Sequence, residues 1–166
     1  MRHVVVRSLM VTTAAFVAMT LSAASPALKS PDLVKNALRI LAYVQADMAS
    51  KLPSKSYNRL PHENEEFQEA AVPMRESVAN EPAELKAQVD ALLKIAQAKA
   101  NAVAEISKTN DEALIKPAID AVAAALKPLN ELFPVELRPI AGQLGRGPGG
   151  PPGGGPPGGG PPPDLR

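Results

Sequence analysis

The chain contains no cysteine. That excludes disulfides, thiolate metal sites, iron–sulfur clusters and thioether-attached haem, and it closes the lipoprotein route. Tryptophan is also absent and aromatics are 3% of residues, so any core must be built of Ala, Leu, Val and Ile. The alanine-rich part of such a core lets helices approach closely, which suits a helical bundle better than a sheet sandwich. Glycine does not occur before Gly142, so no glycine loop in the body of the chain can cradle a phosphate. The histidines are His3 and His62 alone, too few and too poorly placed for a nucleophilic triad. A formal charge of +1 argues against a dedicated nucleic-acid binder.

A length of 166 residues suits one domain. Residues 1–24 read as a secretory signal peptide. Arg2, His3 and Arg7 form the positive leader, Leu9 to Leu21 the apolar run, and Ser22-Ala23-Ala24 the small residues for cleavage. Thirteen residues fall short of the roughly 20 that a membrane-spanning helix needs. No stable membrane span is therefore expected after processing; the alternative reading of this segment is an uncleaved membrane anchor. Cleavage removes Arg2 and Arg7 and no acid, leaving sixteen cations against seventeen anions, a formal −1. Residues 25–141 form the expected helical domain. Gly142 to Arg166 holds all eleven glycines, with Pro-Pro-Gly-Gly-Gly at 151–155 and again at 156–160. The period of five breaks collagen's three-residue rule, and the segment reads as a disordered, extended tail or spacer.

Four helices are expected, at about 31–51, 61–79, 82–107 and 111–133. The first starts at Ser30-Pro31-Asp32 and carries a stripe of Val34, Ala37, Leu41, Val44 and Met48, widened by Leu33, Leu38 and Ile40. Lys51-Leu52-Pro53 ends it, and Ser54 to Leu60 reads as a polar loop. The second has an inner face of Phe67, Ala71, Met74 and Val78, with Pro73 as a kink. In the third, Leu85, Val89, Leu92, Ala96, Val103 and Ile106 share a stripe whose one polar slot is Lys99, and Asn80 is placed to cap the start. In the fourth, Ile115, Ile119, Val122, Leu126, Leu129 and Phe133 step by four and three. Thr109 and Glu112 offer a capping box there. Pro117 and Pro128 interrupt that helix, or Pro117 lies in its first turn. Short links favour an up-and-down antiparallel four-helix bundle. The break at Asn80-Glu81-Pro82 is short enough for a bent helix and a three-helix alternative.

Region 31–138 resembles the periplasmic four-helix cytochromes, the cytochrome c-prime and cytochrome b562 group. The likeness rests on the Ala-rich bundle, on Leu38-Arg39-Ile40-Leu41-Ala42-Tyr43, and on Asn110-Asp111-Glu112-Ala113-Leu114 opening the last helix. It implies architecture. The Cys-x-x-Cys-His site of the c-type members is missing, since Leu126 to Arg138 has neither Cys nor His. The b-type histidine of the last helix is missing as well.

His62 is the one histidine outside the leader, with Glu66 one helical turn later. Met48 lies across the intervening loop if the first two helices form a hairpin. Imidazole, carboxylate and thioether together suit copper or another transition ion. The competing reading is a solvated His62 among surface acids, with Glu63, Glu65, Glu66 and Glu69 matched to the helix dipole on an open face. Tyr43 and Tyr57 are expected to pack their rings and wet their hydroxyls. The expectation is therefore a non-enzymatic protein of the bacterial envelope, periplasmic or secreted. It acts by binding an unknown protein partner or as an envelope component, and it needs no cofactor. The alternative is a haem or copper carrier. A second copy of the bundle, paired as a homodimer, is the other partner the sequence allows.

Overall fold

The computed structural model describes residues 27–140. The expected signal peptide at 1–24 and tail at 142–166 lie outside them. The described residues contain four helices and no strand: α1 (Pro31–Ser54), α2 (Leu60–Ser77), α3 (Ala83–Ser107) and α4 (Glu112–Glu131). Short 3-10 turns occupy Tyr57–Arg59 and Val135–Leu137.

Each helix packs against its sequence neighbour, and α4 closes the ring on α1. The direction of packing follows from polar contacts between α2 and α3. Asn64 bonds Asn101, Gln68 bonds the Gln97 carbonyl, and Arg75 bonds Asp90, so ascending positions meet descending ones. The break at 78–82 therefore makes a hairpin, not a bend, and the three-helix alternative falls. At one end of the bundle Tyr57 donates to Glu112 at 3.0 Å, joining the α1–α2 and α3–α4 connections. At the other, the backbone N–H of Lys29 donates to the buried carboxylate of Glu81 at 2.7 Å, tying the approach to α1 onto the α2–α3 turn.

The expected stripes form the core. Val34, Ala37, Leu41, Val44 and Met48 of α1, the four named residues of α2, and the whole α4 series from Ile115 to Phe133 are buried. In α3 the stripe is rotated. Its interior row is Val89, Leu93, Ala96, Ala100, Val103 and Ser107, while Leu85, Leu92 and Ile106 lie at its margin. Leu33 is 59% exposed, so it does not widen the α1 face.

The helix ends differ from expectation in ways local chemistry explains. α1 runs past Lys51 and through Pro53, and the segment taken as a polar loop turns tightly enough to bury Tyr57. With no glycine available, Lys55 at φ 51° and Asn110 at φ 54° supply the left-handed residues after α1 and α3. α3 starts at Ala83 behind Pro82, with no side-chain cap, and the Asn80 carbonyl accepts from the Lys29 ammonium. At α4 the cap is Asp111, whose carboxylate accepts from the Ala113 N–H at 2.9 Å; Thr109 accepts only from the Asp111 N–H. α4 begins at Glu112 and carries both prolines internally. Asp111→Ala is expected to lower stability by about 1 kcal/mol, whereas Asn80→Ala should leave the urea midpoint within error.

Candidate functional site

The inner stripes of α1 and α2 both end in a charge. One step beyond Met48 on the α1 stripe lies Lys51, and one turn before Phe67 on the α2 stripe lies Glu63. Antiparallel pairing brings the two to the same level. The Lys51 ammonium lies 3.1 Å from Glu63 Oε1 and 2.9 Å from Asp47 Oδ1. Lys51 is 9% exposed and Glu63 2%, which corrects the expectation that the α2 acids share an open face. Glu63 points inward because it is in register with Phe67, Ala70 and Met74; Glu65 points outward, and Glu66, at i+3 from Glu63, lies half-buried at the margin.

The second carboxylate oxygen of Glu63, Oε2, is buried and has no hydrogen-bond partner. Carboxylate oxygens of Asp47, Glu63 and Glu66 all lie within 4.8 Å of one another. His62 stands outside this group, its side chain 63% exposed, with Nε2 3.2 Å from Glu66 Oε1 and Nδ1 3.5 Å from Glu65 Oε2. Of the three expected metal ligands, the structure brings His62 and Glu66 together and places Met48, fully buried, in the hydrophobic core. Asp47, Lys51 and Glu63 were missed because a search for apolar periodicity stops at the last apolar residue. Continuing each stripe by one step finds Lys51 and Glu63.

Burial, reinforced by the Asp47 carboxylate, raises the pKa of Glu63 although Lys51 opposes it. At Asp47 burial also pushes upward, but hydrogen bonds from Lys51 and Ser50 outweigh it and the carboxyl sits below its ordinary range. Burial would lower Lys51, and its two carboxylate partners raise it instead. Linkage fixes the sign of the consequence. Above the ordinary glutamate value of 4.5, the folded chain holds the Glu63 proton longer than the unfolded chain does. Its contribution is complete in acid and is lost as pH rises through the raised pKa. Glu63→Gln is expected to remove this decline, read from urea midpoints across pH in chelator-treated protein.

A second surface lies between α2 and α3. Arg75, Val78, Lys86, Val89 and Asp90 line an open groove of about 220 Å³. Arg75 bridges it, with Nε 3.0 Å from Asp90 Oδ1 and a terminal nitrogen 2.8 Å from Gln97 Oε1. Hydrogen bonds from Lys94 and Arg75 hold the Asp90 carboxyl below its usual range. Among the described residues, no helix is long and apolar enough to cross a membrane. No family model matches the sequence, and neither a curated protein nor a solved structure matches it.

Proposed function

We propose that this chain is an exported, non-enzymatic bundle protein of the bacterial envelope that binds a protein partner through its α2–α3 face. Export rests on the leader sequence of residues 1–24, and the Pro/Gly-rich segment 142–166 acts as a spacer. The observation that carries the binding role is the open groove where Arg75, Lys86 and Asp90 stand over the buried Val78 and Val89. At about 220 Å³ it is smaller than the roughly 300–1,000 Å³ of small-molecule sites, and it suits one inserted side chain. An apolar floor with a charged rim is the anatomy of a protein interface. Val72 on α2 is 49% exposed and lies one helical turn from Gln68 and from Arg75, on the side of α2 that meets α3, adding apolar area beside the groove. Lys86 on the rim takes part in no salt bridge among the described residues. Its complement is an acid, so the occupant is an envelope-protein segment pairing an apolar residue with an acidic one.

A photo-crosslinking residue at Val72, in the producing cells, tests this. A discrete crosslinked partner that disappears with Lys86→Glu is expected. Crosslinking indifferent to Lys86→Glu, or recovery of unprocessed protein in the cytosol, would overturn the reading. Haem or copper carriage is the competing outcome. It would show as a Soret band on adding haemin, or as copper retained through purification.

A further inference from the structure

We infer that Asp47, Glu63 and Glu66 form a binding site for one divalent cation of the oxygen-preferring class, calcium, magnesium or manganese. Such ions sit about 2.0–2.6 Å from each oxygen, so two oxygens on one ion lie at most about 5 Å apart. The three carboxylates already offer oxygens within 4.8 Å of one another, before any ion draws them in.

Crowded acids alone would not make a site. The independent sign is Glu63 Oε2, an oxygen on a side chain 2% exposed that no hydrogen bond satisfies. A buried carboxylate oxygen is costly to leave unmatched, and folded proteins fill such positions with a donor, a water or an ion. Lys51 does not fill it. Its ammonium bonds Glu63 Oε1 and Asp47 Oδ1, leaving the other oxygen of each carboxylate. Charge gives the same answer. Counted formally, with every acid ionised as a bound ion would require, three carboxylates against one ammonium leave two negative charges, which one divalent ion balances.

The remaining geometry fits entry and coordination. The side chains of Asp47 and Glu66 are 32% and 40% exposed, so solvent reaches one flank and waters can complete the shell. His62 Nε2 holds Glu66 Oε1 from outside and orients that carboxylate. Asp47 belongs to α1 and the two glutamates to α2, so the ion would clamp the two helices together. The donor set is all oxygen, which favours this class over copper.

Purified protein stripped with chelator is titrated with manganese, followed by the resonance of the free ion. Calcium and magnesium are titrated by calorimetry. One ion per chain is expected, with a thermal midpoint raised by several degrees at saturation. Glu63→Gln and Glu66→Gln should each weaken binding by about tenfold or more, the scale seen when a metal site loses a supporting group. The exposed control Glu69→Gln should leave it unchanged. If Glu63→Gln fails to fold, Glu66→Gln at its half-exposed position decides. Absence of saturable binding for all three ions, or affinity untouched by Glu66→Gln, would overturn the assignment. So would binding confined to copper or zinc that is lost with His62→Ala and kept with Glu66→Gln.

Discussion

Lys51→Met is expected to destabilise the fold by about 3–5 kcal/mol at neutral pH, the usual cost of removing one partner from a buried ion pair. Methionine keeps the length and apolar body of lysine, so packing changes little. What is lost is the ammonium that sits between Asp47 and Glu63. Two carboxylates then face each other, one of them 2% exposed. Glu63 can escape only by taking a proton, and that sets the pH signature. Its pKa is already raised by burial with Lys51 opposing; without Lys51 it rises further. The penalty should therefore be largest at neutral pH and shrink as pH falls, because the neutral acid needs no cation. Urea unfolding at several pH values reads this directly. The double variant Lys51→Met with Glu63→Leu should recover most of the loss, since an apolar pair of similar volume removes the desolvation cost together with the attraction. A Lys51→Met penalty within about 1 kcal/mol and flat with pH would mean that water reaches the pair and that it behaves as a surface bridge.

That variant also bears on the cation site. A bound divalent ion would replace part of the missing positive charge, so added manganese or calcium should restore stability to Lys51→Met more than it adds to the natural chain. Binding only the folded state stabilises it by mass action, and the gain grows with affinity. Removing the ammonium leaves three carboxylates for the ion alone. An equal gain in both proteins would separate the ion from this cluster.

How far the sequence can be read depends on side-chain size. α4 is legible throughout because Ile, Val, Leu and Phe occupy every inward position in a four–three rhythm, and all six are buried. In α3 the inward row passes through Ala96, Ala100 and Ser107. Alanine is a weak marker of burial and serine no marker at all, so the larger Leu85, Leu92 and Ile106 drew the stripe toward themselves. Lys99, a polar slot in that stripe, was the warning. The true row passes through Ala100 and leaves Lys99 exposed. The charge cluster was hidden for a related reason. Lys51 and Glu63 obey the helical period, but only a rule that lets polar residues occupy core positions in pairs would keep them on it. The Asp111 cap was hidden by rivalry among neighbours, because Thr109, Asn110 and Asp111 are all competent caps and only the turn geometry chooses between them.

The same rotation of α3 gives the second large effect. Leu93→Ala should cost about 3–5 kcal/mol, whereas Leu92→Ala should cost about 1 kcal/mol. Leu93 is fully buried in the shared core, and no solvent can enter the space its truncation leaves. Leu92, one residue away and 100° around the helix, packs against the core only from its margin. Its neighbours can relax, and water covers what they do not. Leucine and alanine are both strong helix formers, so neither substitution changes the helix itself, and the difference between the two midpoints measures orientation alone. Reversal of the order would place the face of α3 where the larger side chains suggest. Ala100 supplies an internal check, because Ala100→Leu must overpack a fully buried position and cost about 1–3 kcal/mol. Lys99→Leu, on the exposed side, should leave stability nearly unchanged. If both leucines were tolerated equally, the close approach of α3 that Ala96 and Ala100 permit would not exist. The groove floor at Val89, which lies on the same row, would then be misplaced with it.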